Sequence, residues 1–402
     1  MEFARRMSTV HRSFIREILK AAVDPQIISF AGGLPNPRFF PVRELEEATR
    51  KVLAEEGAAA LQYATTEGFP PLREKIAERY AARGSRVRPE DVLVLNGSQQ
   101  GLDLIAKVFL DPGDPVLVES PSYLAALQSF GFFEPEFVPV PLDSCGACVR
   151  ELQTALGRAG THGQAPKFFY AIPNFQNPSG ISYSRERRRE TARLIAASST
   201  VLVEDDPYGE IRFLGTDLPA LRTFLADAGA ADRAVLLGTF SKIVSPGMRL
   251  GWIVAAPEIM ERIVVAKQAA DLHSNELTQR IVYRFLCDYD VTAHIQRIRE
   301  AYRRQRDLMV QAASSLFPSE VTCTQPEGGM FLWVTLPPGR SAMTFFEKAL
   351  AEKVTFVPGA AFFCPGGTGD ERDRTLRLNF SNCDERGIEE GMKRLGRVYA
   401  AM

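Results

Sequence analysis

The chain has 402 residues, 45% of them apolar and 24% charged, with a formal net charge of −1. This is the make-up of a globular protein long enough for a large domain and a smaller one, each with its own core. Near-neutrality excludes the basic field that holds nucleic acid or an anionic membrane, and no run of about eighteen apolar residues is present to span a bilayer.

Residues 11–23 read as a short amphipathic helix, with Phe14, Ile15, Ile18 and Leu19 on one side and Asp24-Pro25 stopping it. The start carries arginines but no apolar signal core, which points to a cytoplasmic protein. The extended stretch 27–30 runs into Ala31-Gly32-Gly33-Leu34-Pro35, whose glycines serve either a plain turn or a close backbone approach to a ligand. Helices are expected over 41–56 and from near Pro71, with a polar loop opening at Tyr63 between them.

From Asp91 short apolar runs alternate with helical segments, at 92–95, 116–118, 137–140, 168–172, 201–203, 234–237 and 252–255. Such alternation predicts an α/β architecture, a mostly parallel seven-stranded sheet between helices, with ligands beyond the strands' carboxyl ends. Near residue 290 the pattern shifts. An arginine-rich helix over 294–316 and strands near 329–336, 354–357 and 376–380 predict a smaller α+β lobe, against which the N-terminal helix packs. The expected division is 1–45 (N-terminal helix and arm, part of the small domain), 46–290 (large domain) and 291–402 (small domain).

Of the six cysteines only Cys145 and Cys148 have ligand-like spacing. No second Cys or His pair accompanies them, so no metal site is expected.

The residues that carry chemistry follow the strands. Lys242, flanked by Thr239 and Ser241, comes after the 234–237 run, with Arg249 seven residues on. A lysine in that place either points into water or, with its pKa lowered by burial or nearby cations, forms an imine with a carbonyl cofactor. The hydroxyls and Arg249 then suit a phosphate. Asn96-Gly97-Ser98-Gln99-Gln100-Gly101 opens a helix that Ser98 can cap, and its free amides can hold a phosphate. It is neither a Walker loop nor a dinucleotide fingerprint.

Tyr123 can lie on a flat heteroaromatic ring or belong to the core. Asn177, in the turn 173–180, can donate to a phenolate oxygen, and Tyr208 can reach the same atom. Asp205, in Glu204-Asp205-Asp206-Pro207-Tyr208, is either a helix cap or a carboxylate awaiting a cation, for which a pyridinium nitrogen serves.

An imine-forming lysine, a ring-nitrogen acid, a phenolate donor, a stacking ring and a phosphate cup, in that order, describe a pyridoxal 5′-phosphate site. The sequence resembles the fold-type I pyridoxal-phosphate aminotransferases of class I/II, over nearly its whole length, and is most similar to the 2-aminoadipate and kynurenine aminotransferase branch. The strings 29–35, 97–100, 176–180, 204–208 and 240–242 carry the resemblance. Pro-Ser-Gly at 178–180 stands where many relatives have Pro-Thr-Gly, and Pro207 where alanine is commoner.

The resemblance implies that Lys242 holds the cofactor and moves the α-proton, Asp205 pairs with the ring nitrogen, and Asn177 and Tyr208 bond the phenolate. Tyr123 stacks on the ring. Ser98, Gln99, Thr239, Ser241 and Arg249 take the phosphate, and Tyr63 reaches it from a neighbouring subunit, which implies a homodimer with shared active sites. Arg377 clamps the substrate's α-carboxylate, with Asn177 and Gly33 beside it, and Ser13 and Arg16 lie where the N-terminal helix meets the side chain.

The implied reaction is a ping-pong amino transfer from an L-amino acid (2-aminoadipate, glutamate, aromatic or branched-chain) to a 2-oxo acid such as 2-oxoglutarate. Two rivals share the fold. One is a lyase or decarboxylase, against which Arg377 argues; the other is a regulator's effector domain, which needs a DNA-binding module that the sequence does not suggest.

Overall fold

The apolar runs between residues 92 and 255 pair edge to edge into one large sheet. In this computed structural model residues 3–8, 24, 26–158, 160, 163–365 and 370–402 are described. The expected helix at 11–23, with Ser13 and Arg16, lies outside the described residues. In chain order the strands are β1 (Ile28–Ser29), β2 (Val92–Leu95), β3 (Pro115–Ser120), β4 (Glu136–Asp143), β5 (Gly146–Ala147), β6 (Phe168–Ala171), β7 (Val201–Asp205), β8 (Ala234–Thr239), β9 (Gly251–Ala255), β10 (Thr322–Cys323), β11 (Phe331–Thr335), β12 (Val354–Thr355), β13 (Val357–Pro358) and β14 (Thr375–Asn379).

The large sheet has the order β2-β9-β8-β7-β6-β3-β4-β5. It holds eight strands rather than the seven expected; the addition is the two-residue β5, which folds back on β4 through the turn at Cys145. Two residues are too short a run for hydrophobic periodicity to reveal. β3, β4, β6, β7 and β8 run parallel, whereas β9 is antiparallel to both β8 and β2. Reversing twice sets β2 parallel to β8. The carboxyl ends of β2, β3, β6, β7 and β8 therefore share one edge, and the start of β9 returns to it.

Alternating side chains bury both faces, as a period of two requires. Phe168, Tyr170, Val201 and Val203 join one core, whereas Phe169, Ala171 and Leu202 join another on the opposite face. Each fully buried side chain of this size contributes about 1.5–3 kcal/mol. The first core continues into the four-stranded antiparallel sheet β10-β11-β14-β13 and the 26-residue helix Val291–Leu316. That helix sends His294 against the lysine segment, its Nε2–H donating to Ile243 O at 3.0 Å. β1 pairs in parallel with β12, and Asn379 N donates to Phe30 O at 2.8 Å, so residues 28–30 are fastened to the C-terminal third of the chain.

Loops at the active edge are tied from beneath by a buried arginine. Helix Arg185–Ala196 is capped by Ser184, which accepts from Arg187 N. Its Arg188 is fully buried and donates to Tyr183 O (3.2 Å), Pro219 O (3.0 Å), Pro173 O (2.9 Å) and Asn174 Oδ1 (2.6 Å). Arg188→Met removes a donor from all four acceptors in the interior, of which Pro173 O keeps Tyr183 N at 2.9 Å. It is expected to cost about 3 kcal/mol, read as a lower urea midpoint in equilibrium unfolding of the cofactor-free protein.

Candidate active site

The hairpin reversal at β8–β9 builds the site. Thr239 ends β8 opposite Gly251, which begins β9. The eleven residues between must turn within one strand spacing, so Lys242 and Arg249 emerge on the same edge. Arg249 takes a left-handed backbone (φ 52°, ψ 43°) to do so. Such a conformation costs a non-glycine residue on the order of 1 kcal/mol, and residues held that way cluster at functional sites.

A cavity of about 520 Å³ opens at this edge. It is lined by Gly33, Ser98, Gln99, Tyr123, Asn177, Asp205, Tyr208, Thr239, Ser241, Lys242, Arg249 and Arg377, which among the described residues are all the expected site residues save Tyr63. Apolar walls come from Leu34, Leu124, Ile172 and Phe362.

Asp205 is buried at the end of β7. Its Oδ2 accepts from Tyr170 OH at 2.7 Å, and its Oδ1 has no partner. Burial pushes its pKa up to about 7, against the opposing pull of the Tyr170 hydroxyl. The neighbouring Asp206 closes the turn before the short helix Gly209–Ile211, whose cap position is Tyr208, accepting from Gly209 N (2.9 Å) and Asn174 Nδ2 (2.8 Å) and facing Arg83. Neither aspartate is therefore a helix N-cap: Asp206 braces a turn and Asp205 faces the cavity. Oδ1 fits the protonated nitrogen of a pyridinium ring, which would return the charge that burial leaves uncompensated.

Lys242 Nζ donates to Gly33 O at 3.1 Å. Desolvation, then the fields of Arg377 and Arg249, lower its pKa to about 8. Gly33 therefore offers its carbonyl to the lysine, close beside Phe331. Arg377 on β14 lies between the Phe331 and Phe362 rings, at 4.3 and 4.9 Å, and donates to Asn177 Oδ1 and Ala31 O, both at 2.7 Å. These acceptors are neutral, and Arg377 Nε has none. Burial lowers its pKa to about 10. A ligand carboxylate supplies the missing charge and can meet Nε. Asn177 also bonds Tyr208.

At the anion-binding end the expectation that Ser98 caps its helix is corrected. The cap of helix Ser98–Phe109 is Gly97 (φ 85°), without a side-chain cap bond, and Ser98 is the first helical residue. A Cβ at Gly97 would stand 2.5 Å from Arg249 Nη2, so only glycine lets the guanidinium approach. Gln99 turns its side chain to Ala125 O (3.3 Å) and Ser129 Oγ (3.0 Å), leaving its backbone amide for the cup. Thr239 Oγ1 accepts from Ser241 N at 3.1 Å, and both hydroxyl residues line the same cavity as Arg249. Tyr63 is 79% exposed and stands outside this cavity, edge-on to His273 at 5.8 Å.

Sequence reasoning missed two supports. Tyr170 is one; its signal was a tyrosine in an otherwise apolar buried strand, where the hydroxyl needs an acceptor. Gln176 is the other. Its amide donates to Glu119 and Pro121 O and accepts from Ser179 N and Oγ, pinning the turn that carries Asn177. Glu119, raised to about 7 by burial, is held by Tyr183 at 2.8 Å.

The family profile described as aminotransferase class I and II matches residues 31–395. The chain is 43% identical over 399 residues to the aromatic-amino-acid aminotransferase 1 of Thermococcus litoralis, covering 98% of this chain and 93% of that one. It is also 43% identical over 400 residues to the 2-aminoadipate transaminase of Thermus thermophilus, covering 100% and 97%. Among solved structures it matches the α-aminoadipate aminotransferase of Thermus thermophilus in complex with N-(5′-phosphopyridoxyl)-L-leucine. There the TM-score is 0.90 and the identity 42%, over 99% of this chain and 97% of that one.

The depressed lysine is directly testable. Only the neutral amine is nucleophilic, so a pKa of about 8 instead of 10.5 makes Lys242 reactive more than two pH units earlier than a surface lysine. Peptide mapping after a brief pulse of amine-acylating reagent on cofactor-free protein is expected to give half-maximal labelling near pH 8. Arg377→Met, which removes a repelling cation, should move that midpoint upward.

Proposed function

The chain belongs to the class I and II aminotransferase family, and on that premise we propose how its residues carry the reaction and which amino acids it takes. It is a pyridoxal-phosphate-dependent aminotransferase whose substrates are amino acids and 2-oxo acids. When bound, the cofactor supplies an electrophilic aldehyde carbon and a protonated ring that withdraws electrons from the substrate's α-carbon.

Lys242 would hold the aldehyde carbon and Asp205 Oδ1 the ring nitrogen. Asn177 and Tyr208 would hold the phenolate oxygen, and Tyr123 would stack on the ring. The amides of Ser98 and Gln99, with Thr239, Ser241 and Arg249, would hold the phosphate. Arg377 orients the substrate by its α-carboxylate, holding that group so that the Cα–H bond is the one that breaks. Lys242 Nζ, whose lowered pKa favours the free amine, would take the α-proton and return it to the carbon that was the cofactor's aldehyde, on the far side of the amino nitrogen. Keeping the carboxylate clamped favours amino transfer over decarboxylation. The observation that carries this reading is the convergence of Lys242, the unpartnered Asp205 Oδ1 and Arg377 on one cavity.

For substrate we favour dual use: 2-aminoadipate or glutamate as acidic donors, and leucine-like or aromatic amino acids, with 2-oxoglutarate as acceptor. The relatives named for 2-aminoadipate and for aromatic amino acids support it, as does the leucine adduct bound to the Thermus thermophilus enzyme. Arg16 is assigned to the distal carboxylate when the substrate has one, and Ser13 to the substrate side chain; Gly33 and Asn177 are assigned to the α-carboxylate.

The working unit is a homodimer in which Tyr63 reaches the partner's phosphate. The 71% exposure of Leu61 and 49% of Leu272, on either side of the Tyr63–His273 contact, supports an apolar interface there. The same reading divides the chain into residues 1–45 with the small domain, 46–290 and 291–402. It also makes the protein cytoplasmic, where thiols such as the buried Cys364 stay reduced.

Lys242→Ala is expected to abolish the loss of cofactor absorbance that an amino acid causes in single-turnover spectra. Arg377→Met should lower kcat/KM for every amino acid by about 10²–10³-fold, the worth of two charge-assisted hydrogen bonds. Arg16→Ala should lower kcat/KM for 2-aminoadipate and leave leucine nearly unchanged; an equal fall for both would remove Arg16 from specificity.

A further inference from the structure

Behind the anion-binding turn sits a polar cluster that the reaction does not use. Lys267, fully buried in helix Pro257–Asp271, pairs with Asp271 one turn on, its Nζ lying 2.8 Å from Oδ1 and 2.9 Å from Oδ2. Asp271 Oδ2 also accepts from Asn96 Nδ2 and from Gln100 Nε2, both at 2.6 Å. Gln100 Oε1 in turn accepts from Asn96 N at 2.9 Å and from Lys267 Nζ at 3.2 Å. The four side chains close on one another from sites as much as 175 residues apart.

Asn96 and Gln100 bracket Gly97-Ser98-Gln99, of which Ser98 and Gln99 line the cavity. Their helix lacks a side-chain cap bond, and Gly97 has no side chain with which to stiffen its left-handed backbone. Asn96 O further accepts from Arg249 Nη2 at 3.3 Å, so the position of Asn96 also bears on the cup's cation. A turn without a side-chain cap, clamped at both ends by one half-buried carboxylate, takes its orientation from that carboxylate.

We propose that Asp271, held by Lys267, is a positioning residue for the cofactor's phosphate: it sets the Asn96–Gln100 turn so that its amides and Arg249 converge on one anion. This rests on the phosphate occupying that cup. Asp271 lies outside the cavity lining and acts only through Asn96 and Gln100.

The test separates the phosphate from the rest of the vitamer. Dissociation constants of cofactor-free protein for pyridoxal 5′-phosphate and for pyridoxal are compared in wild type, Asp271→Asn and Asn96→Ala, with inorganic phosphate as competitor. Wild type is expected to prefer the phosphorylated form. In Asp271→Asn that preference should shrink by about tenfold or more, the worth of charged hydrogen bonds, while affinity for pyridoxal changes by less than about twofold.

Asn96→Ala removes a single donor at a half-buried position, so it keeps the question decidable should Asp271→Asn fail to fold; it should show the same selective loss, smaller in size. Parallel weakening of both vitamers marks a merely structural role and overturns the proposal, as does a preference unchanged in both variants. A wild-type protein that binds the two vitamers equally would instead sink the phosphate cup itself, and the positioning role with it.

Discussion

A carboxylate deprived of water must find a positive partner, and that requirement at Asp205 organises the site. The β7 end buries it, Tyr170 satisfies one oxygen, and the other faces the cavity unpaired. Leaving such an atom bare costs several kcal/mol unless the group stays protonated, which is why its pKa climbs to about 7. The complementary imbalance sits opposite. Lys242 and Arg377 are cations whose hydrogen bonds go to neutral oxygens, and each is pushed toward its neutral form by burial. The cavity thus stores charges that only a ligand carrying a ring cation, a phosphate and a carboxylate would balance together.

Topology converts this electrostatic demand into geometry. Parallel strands deliver their carboxyl ends to one side, so Tyr123, Asn177, Asp205 and Lys242 gather there although they span 120 residues of chain. The antiparallel β9 is the exception that completes the arrangement. Because it runs back, its first residues lie where its neighbours end, and Arg249 meets the turn at Gly97. The four-stranded sheet contributes Arg377 from β14, and residues 30–33 supply carbonyls to both cations.

The cavity wall is held from outside by polar clusters, each built on a fully buried side chain: Arg188, Gln176 or Lys267. Arg188 ties the loops at 173 and 219, Glu119 and Gln176 hold the Asn177 turn, and Lys267 with Asp271 holds the Asn96 turn. Such networks are costly when incomplete and directional when complete. A hydrophobic core could fill the same volume, but it would not specify where an amide points.

Much of the site could be read from the chain because its parts are local. A strand followed by a turn places the next polar residue at a known edge, so Lys242, Asp205, Asn177 and Ser98 each followed from a few neighbouring residues. Composition and periodicity likewise predicted the α/β sheet and the long helix ending at Leu316. Local pattern could not say which of Asp205 and Asp206 braces a turn, that Gly97 rather than Ser98 is the helix cap, or that β5 adds an eighth strand. Nor could it reveal Tyr170 beneath Asp205 or Lys267 behind the phosphate turn. Those outcomes hang on side chains brought together from opposite parts of the chain, and a hydrogen bond forms only where the packed backbone sets donor and acceptor about 3 Å apart.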